Sequence, residues 1–437
     1  MNPYLLIIAC SAVIILSFFF NILAKKTNIP SVLMLIGLGI GIKLLMNMTE
    51  LRDKDLGIDS LLETLGNVGL VMIVLEAALD LKLERKKAGI LLRSLLVSAV
   101  SLAGSIYGIA ALLMYIFPGT EFYAAAVYAV PLSIMSSAII IPSVGSLTGE
   151  KKEFMVYDST FSDILGIMVF YFLLGEEGTV GGTSASGIMS NLGITLLMSI
   201  VVAYGLVYIF QHLKMQVKLF LIIAVLLLMF ALGKYFHLSS LLTILAFGLV
   251  LNNTDLFFPG RFAKYFDKQA VKPIIHDFHN LTLESAFLIR TFFFVLFGIS
   301  ITLSSLYDWR VAVNGIAIVL ILYIVRFVVL RLFARKNLFP ELWIAPRGLI
   351  TVLLFFVILK DPRVDIPGFD PGLLLYPIIV TSIIMTIGLI THKGEKIKDV
   401  LFPKLPLVRN DSKEEDVNDI YKKRMEDNVE KGDFDGF

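Results

Sequence analysis

Long apolar runs separated by short polar stretches make up most of the chain. They fall near residues 3–22, 28–48, 59–79, 88–117, 121–147, 154–174, 188–211, 217–233, 238–252, 281–303, 310–332, 341–360 and 369–391. Most approach the ~20 residues that a helix needs to cross a bilayer. None alternates as the strands of a membrane barrel do, so helices are the spanning elements. The pattern predicts an all-α polytopic membrane protein with about 13 transmembrane helices.

Lysine and arginine in the short loops orient that set, because cytoplasmic loops carry the excess of both. The loops after odd-numbered runs hold Lys25 and Lys26, then Lys82, Arg85, Lys86 and Lys87, then Lys151 and Lys152, then Lys214 and Lys218. The series continues with Arg261, Lys264, Lys268 and Lys272, then Arg335 and Lys336, then Lys393, Lys396 and Lys398. Taken together, the alternate loops hold far fewer: Arg52 and Lys54, Lys234, Arg310, then Lys360 and Arg363. This predicts an outside N-terminus and a cytoplasmic C-terminus. An odd number of spans agrees, since it puts the two termini on opposite sides. The first run lacks a basic leader, so it reads as a retained helix and not a signal peptide. Residues 256–280 are mixed in character and read as a linker helix lying on the cytoplasmic side. Residues 393–437 are charged and poor in aromatics, the composition of a disordered tail.

Composition narrows the function. The 437 residues are 57% hydrophobic and only 17% charged, and the net charge is +2. Such a balance gives no reason to expect a nucleic-acid partner. The single cysteine, Cys10, excludes a disulfide framework and a cysteine metal site. The five histidines show no ligand spacing. No glycine-rich phosphate loop appears, so neither an ATP-driven pump nor an enzyme with a cofactor is indicated.

The chemistry lies in the sixth run, at Tyr157-Asp158-Ser159-Thr160-Phe161-Ser162-Asp163. A charge at membrane centre costs roughly 3 kcal/mol even on the lenient insertion scale, which marks an intramembrane carboxylate as functional. Ser159 and Asp163 are four apart and share a helix face, as do Asp158 and Ser162. Hydroxyls beside a carboxylate form an oxygen-rich site for a hard cation or a proton. At a rise of ~1.5 Å per residue from the cytoplasmic end, Asp163 is about 15 Å deep and Asp158 about 8 Å deep. Arg326, entering from the other side, lies about 6–8 Å from the inner surface by the same rise. Two readings stand for it: a pair with Asp158, which would offset the cost of burying either charge, or snorkelling to the cytoplasm. Asp163 has no cationic partner at its own depth.

Two runs are interrupted. The fifth carries Ser133, Ser136, Ser137 and Pro142, and the twelfth carries Pro346-Arg347-Gly348. One broken helix in each half points to two inverted repeats with a midplane site. Ser136 and Ser137 either face that site or bond back to helix carbonyls. Arg347 either marks the break or starts a cytoplasmic helix near Pro340. Glu76, late in the third run, either lines a cytoplasmic funnel or sits near the surface. Glu284 and Arg290 read as structural charges.

With these residues in place, the chain resembles the monovalent cation–proton antiporter superfamily across about residues 1 to 393. Asp158-Ser159-Thr160-Phe161-Ser162-Asp163 looks like that family's Glu-Ser-Leu-Leu-Asn-Asp stretch. Asp163 takes the place of its cation- and proton-binding aspartate. Ser136-Ser137-Ala138 stands where sodium–proton members have Thr-Asp-Pro, and looks more like the Ser-Ser-Thr of the potassium-efflux branch. Arg326 matches the family's basic residue before the second broken helix, and Pro346-Arg347-Gly348 resembles its Arg-Gly break.

The resemblance implies exchange of a monovalent cation, sodium before potassium or lithium, for protons by alternating access, in a plasma-membrane homodimer serving pH homeostasis. It implies a transmembrane domain over 1–392, with crossed broken helices in a core at about 88–174 and 310–391 and a scaffold elsewhere. The ion would meet Asp163, Ser162, Ser159, Ser136 and Ser137. Members with a neutral residue at the position of Ser162 tend to be electroneutral. A potassium–proton antiporter is the alternative within the class. A gated cation channel is the alternative outside it, although no repeated carbonyl-lined filter sequence appears. A membrane sensor with the tail as output is a third, and the short tail argues against it.

Overall fold

The structure is a computed structural model that describes residues 3–27, 29–48, 58–83, 85–147, 149–174, 205, 223–228, 230–231, 240–253, 268–300, 308–334, 338–359 and 361–401. The expected spans at 188–211 and 217–233 fall largely outside these residues. So do the basic positions Lys214, Lys218, Arg261, Lys264, Arg335 and Lys336, and the tail beyond residue 401. The chain divides into two compact units, Met1–Lys393 and Gly394–Phe437.

Helices carry the described part of the first unit, and it contains no strand among the described residues. In order they are α1 (Pro3–Thr27), α2 (Ser31–Asn47), α3 (Ile58–Asp80), α4 (Ala88–Ile116), α5 (Phe122–Ser133), α6 (Ser137–Ser143) and α7 (Glu150–Leu174). Then come α8 (Ser240–Asn252), α9 (Lys268–Ser300), α10 (Trp309–Ala334), α11 (Leu349–Ile358) and α12 (Leu375–Leu401). Among the described residues, seven spans are long and apolar enough to cross a membrane, counting α5 and α6 together, and α2, α8 and α11 are shorter apolar helices.

These helices form two layers. In one, α3 packs on α8 and α9, and α2 packs on α1 and α9. In the other, α4 packs on α5, α7 and α10, while α6 lies against α7 and α11 against α5. Contacts of α3 with α7 and with α11 join them. The first layer packs tightly at Gly39 of α2 and Gly298 of α9, where a Cβ on Gly39 would lie 2.8 Å from the Gly298 Cα. Any side chain at either position would force the two backbones apart.

The two interruptions appear as breaks. Residues Ile134, Met135 and Ser136 separate α5 from α6, with Ile134 and Ser136 extended. In the second half the expected helix over 341–360 is corrected. Residues 339–343 form turns, 344–348 run without helix, and α11 starts only at Leu349. Pro346 lacks an N–H and biases Ala345 away from the helical region, which delays the helix. A second difference concerns α9. The linker helix expected over 256–280 and the next span are one continuous helix from Lys268, in which His279 bonds to Asp80 of α3 at 2.9 Å.

The link from α3 to α4 is held from both layers. The Asn253 carboxamide at the end of α8 donates to the Leu81 carbonyl (2.8 Å) and accepts from the Leu83 N–H (2.6 Å). From the other layer, the Tyr157 hydroxyl donates to the Lys82 carbonyl at 3.3 Å. After α11, Phe369 in the loop packs on Tyr128 of α5 with ring centroids 4.7 Å apart. In the same loop, hydrogen bonds from Arg363 hold the Asp361 carboxyl below the usual carboxylate range.

Candidate functional site

The two breaks cross and bond to each other. The Ser136 N–H donates to the Pro346 carbonyl at 2.9 Å. Gly348 makes the crossing possible, since a Cβ there would lie 2.6 Å from the Ser136 Oγ and 2.9 Å from its Cβ. Arg347 is buried and directs its guanidinium at backbone carbonyls. It donates to those of Leu132 (3.0 Å), Ser133 (3.3 Å) and Ala345 (2.5 Å). Leu132 and Ser133 end α5, where helix carbonyls lack partners and a cation is favoured. The Arg347 N–H donates to the Thr381 hydroxyl at 3.0 Å, which ties α12 to the crossing.

α7 satisfies the other amides of the first break with consecutive side chains. The Ser162 hydroxyl accepts from the Met135 N–H at 2.9 Å. The Asp163 Oδ2 accepts from the Ser137 N–H at 3.1 Å. Ser137 is the first residue of α6, so the carboxylate faces the positive end of a half-helix. Asp163 is 1% exposed, and its Oδ1 has no hydrogen-bond partner. Among the described residues no ion pair to Asp163 is formed. It contributes to the wall of a small cavity lined otherwise by Ile73, Val74, Ala77, Ile164, Ile167, Met168, Leu245 and Ile350. Those residues come from α3 and α8 of one layer and α7 and α11 of the other. A single buried carboxylate oxygen thus stands in an apolar space between the layers.

Five residues earlier on α7, Asp158 meets Arg326 of α10. The Arg326 Nη1 lies 3.1 Å from the Asp158 Oδ2, and both side chains are buried. Arg326 also donates from Nε and Nη2 to the Glu341 carbonyl, at 3.0 and 2.9 Å. Its Nη1 lies 3.0 Å from the Met135 sulfur. The guanidinium therefore ties α7, α10, the first break and the turn before the second. Of the two sequence readings for Arg326, the geometry is that of the pair and not of a snorkelling side chain.

The remaining candidates divide. Ser159 donates back to the Val156 carbonyl at 3.1 Å and keeps its lone pairs. Ser136 and Ser137 take part through their backbone amides. Glu76 does not stand open in a funnel: it pairs with Arg290 of α9 at 3.2 Å. Beside it Asp80 pairs with His279 at 2.9 Å. Glu284 is exposed. Among the described residues no group of three His, Cys, Asp or Glu could hold a metal ion. Sequence reading missed Thr381, the Glu341 carbonyl and the two methionine sulfurs around Arg326. It also missed Ile73, Val74, Leu245 and Ile350. A hydroxyl inside the last apolar run was a legible signal for Thr381. The apolar cavity residues carry none, being indistinguishable from packing or lipid-facing positions.

Three comparisons bear on this arrangement. The family model described as sodium/hydrogen exchanger, transmembrane, matches residues 13–392. Among solved structures, that of the sodium proton antiporter MjNhaP1 from Methanocaldococcus jannaschii at pH 8 is similar in fold. Its TM-score is 0.64 at 19% identity, covering 92% of this chain and 99% of that one. A 3D EM map of the same antiporter gives 0.63 at 16% identity, covering 94% and 100%. No curated protein sequence gives a significant match.

Proposed function

The chain belongs to the sodium/hydrogen exchanger family, and on that premise we propose that it exchanges a monovalent cation, sodium first, for protons across the membrane. One observation carries the reading: the buried, unpartnered Oδ1 of Asp163 in the wall of the cavity between the two layers. A carboxylate there holds a proton or a cation, and the two compete for the same oxygen. Ser137 supports it by giving its amide to Oδ2, which leaves Oδ1 for the ion. Ser159, four residues before Asp163 and with a free lone pair on the same helix face, is a further ligand. Ser162 acts by holding the break through the Met135 amide. Asp158 and Arg326 neutralise each other and order the bundle. Residues 88–174 and 310–391 form the moving core within a transmembrane domain of 1–392, and the rest is scaffold and dimer contact. Rocking of the core along the apolar faces of α3 supplies alternating access.

With Asp158 committed to Arg326 and Ser162 neutral, one carboxylate is left to titrate, so the exchange moves no net charge. The positive loops support an outside N-terminus and a cytoplasmic tail, and the family resemblance supports a plasma-membrane location. The test is reconstitution in liposomes with an internal pH dye. Sodium, lithium and potassium are added in turn. Sodium-driven alkalinisation supports the reading. A response to potassium alone moves the chain to potassium–proton exchange, favoured by the Ser136-Ser137 pair. Cation flux without proton movement would make it a channel.

A further inference from the structure

Four successive residues of the first break each meet a fixed partner. Three do so through backbone amides: Met135 on the Ser162 hydroxyl at 2.9 Å, Ser136 on the Pro346 carbonyl at 2.9 Å and Ser137 on the Asp163 Oδ2 at 3.1 Å. The fourth, Ile134, makes its contact with its side chain. It is 1% exposed and lies against Gly166 of α7. A Cβ on Gly166 would fall on the Ile134 Cγ1 and Cδ1 and lie 3.4 Å from the Ile134 Cβ.

Gly166 is itself buried, and it follows Ser162 by four residues and Asp163 by three. Residues at those spacings share a helix face. The notch at Gly166 and the two side chains that accept from the break therefore form one patch of α7. Glycine in a helix interior weakens the helix relative to alanine, so the residue does nothing for α7 itself. The room it leaves is filled by Ile134. Gly37 and Gly41 of α2 differ in this respect, because no atom lies within 4 Å of a Cβ placed on either.

The order of residues couples this notch to the ion site. Ile134 directly precedes Met135 and stands three before Ser137, so the depth of its seat sets how near both amides come to α7. With Ile134 seated, the Ser137 amide holds Oδ2 and fixes the plane of the Asp163 carboxyl. A carboxylate that is already oriented loses less freedom when it takes an ion. A side chain at position 166 would displace Ile134, which is buried and has no solvent to turn into. The break would then lift from α7, and the amide would leave Oδ2.

We propose that Gly166 is a positioning residue of the cation site: the seat of Ile134 in its notch keeps the Ser137 amide on Asp163 and thereby sets the affinity for the cation. The effect on the ion rests on the exchange reading, whereas the placement of the amide does not. Gly166 itself touches no ion and takes no proton.

Two measurements on the full chain test it. In dye-loaded liposomes, Gly166→Ala should raise the half-saturating sodium concentration several-fold, and by more than it lowers the maximal rate. If potassium is the cation that moves protons, its half-saturating concentration is read in the same way. Combining Gly166→Ala with Ile134→Ala leaves the two methyls 3.4 Å apart and should return the half-saturating concentration most of the way. In detergent, hydrogen–deuterium exchange should show faster uptake across residues 134–137 in Gly166→Ala, again reversed in the double variant. Uptake around Thr291 of α9 should stay constant, as the sign of an intact fold. A glycine with only a structural role would lower the folded yield or the maximal rate and leave the half-saturating concentration alone, and that result overturns the proposal. Unchanged uptake across residues 134–137 overturns it as well. If Gly166→Ala does not fold, Ile134→Ala alone, which empties the notch, should move both readings in the same direction, and constancy of both counts against the proposal. Wild-type liposomes in which no cation moves protons would remove the exchange reading instead, and the uptake comparison would still decide whether the notch holds the amide.

Discussion

The Ser136 N–H ends on the Pro346 carbonyl, 2.9 Å away, so the two breaks are bonded at the crossing and not merely adjacent. The contact is tight because Gly348 presents no side chain to Ser136. Gly348→Ala places a methyl 2.6 Å from the Ser136 Oγ. Overpacking of that kind costs roughly 1–3 kcal/mol. A lower melting temperature in detergent is expected, with partial recovery in the double variant with Ser136→Gly. An unchanged melt for Gly348→Ala would show that the crossing yields freely.

Asp163→Asn keeps an oxygen for the Ser137 amide and removes the charge. The variant should fold and melt near the wild type, yet show no cation-driven proton movement in dye-loaded liposomes. Exchange that survives in well-folded Asp163→Asn would remove Asp163 from the transport step.

Asp158 and Arg326 form a pair 3.1 Å long with both side chains buried. Removing one partner leaves a buried charge, at a cost of roughly 3–5 kcal/mol. Arg326→Ala should therefore melt well below the wild type. Adding Asp158→Ala should recover part of the loss. Recovery cannot be complete, because the two bonds from Arg326 to the Glu341 carbonyl are gone in both variants. Additive melting losses would show that the pair contributes no coupling.

Competition at one carboxylate sets a pH dependence with a definite sign. As pH falls, protons occupy Asp163 and the apparent cation affinity weakens, so the half-saturating sodium concentration rises. One carboxylate also fixes the charge moved per cycle at zero. Wild-type exchange should not respond to a valinomycin-clamped potential at fixed pH gradient, whereas Ser162→Asp, adding a second acid beside the first, should respond. A steep voltage response in the wild type would require another titrating group.

The legible part of this molecule was the part written in single residues at unusual depth. Asp158, Asp163 and Arg326 stood out because charges in apolar runs are costly, and depth along the helices brought Asp158 and Arg326 to the same level. The breaks were visible as serine, proline and glycine in the middle of spans. The shape of the second break was not. Pro346 and Gly348 said that a helix stops, but not that residues 344–348 would run without helix toward Ser136. Glu76 was ambiguous because its partner, Arg290, lies more than two hundred residues away on another helix. The continuity of α9 was hidden for the same reason. Its polar half reads as interfacial until Asp80 supplies a partner for His279.

Asn253 bears on how far the two layers can travel. Its carboxamide fixes both Leu81 and Leu83 to the end of α8, and a 3₁₀ turn begins at Arg85. Only Glu84 lies in sequence between the anchored Leu83 and that turn, which is two residue steps of ~3.8 Å each between Cα atoms. The tether from α3 to α4 therefore has no slack to release. If the core rocks as proposed, α4 swivels about α3 near this end without drawing away from it, and its far end sweeps the wider arc.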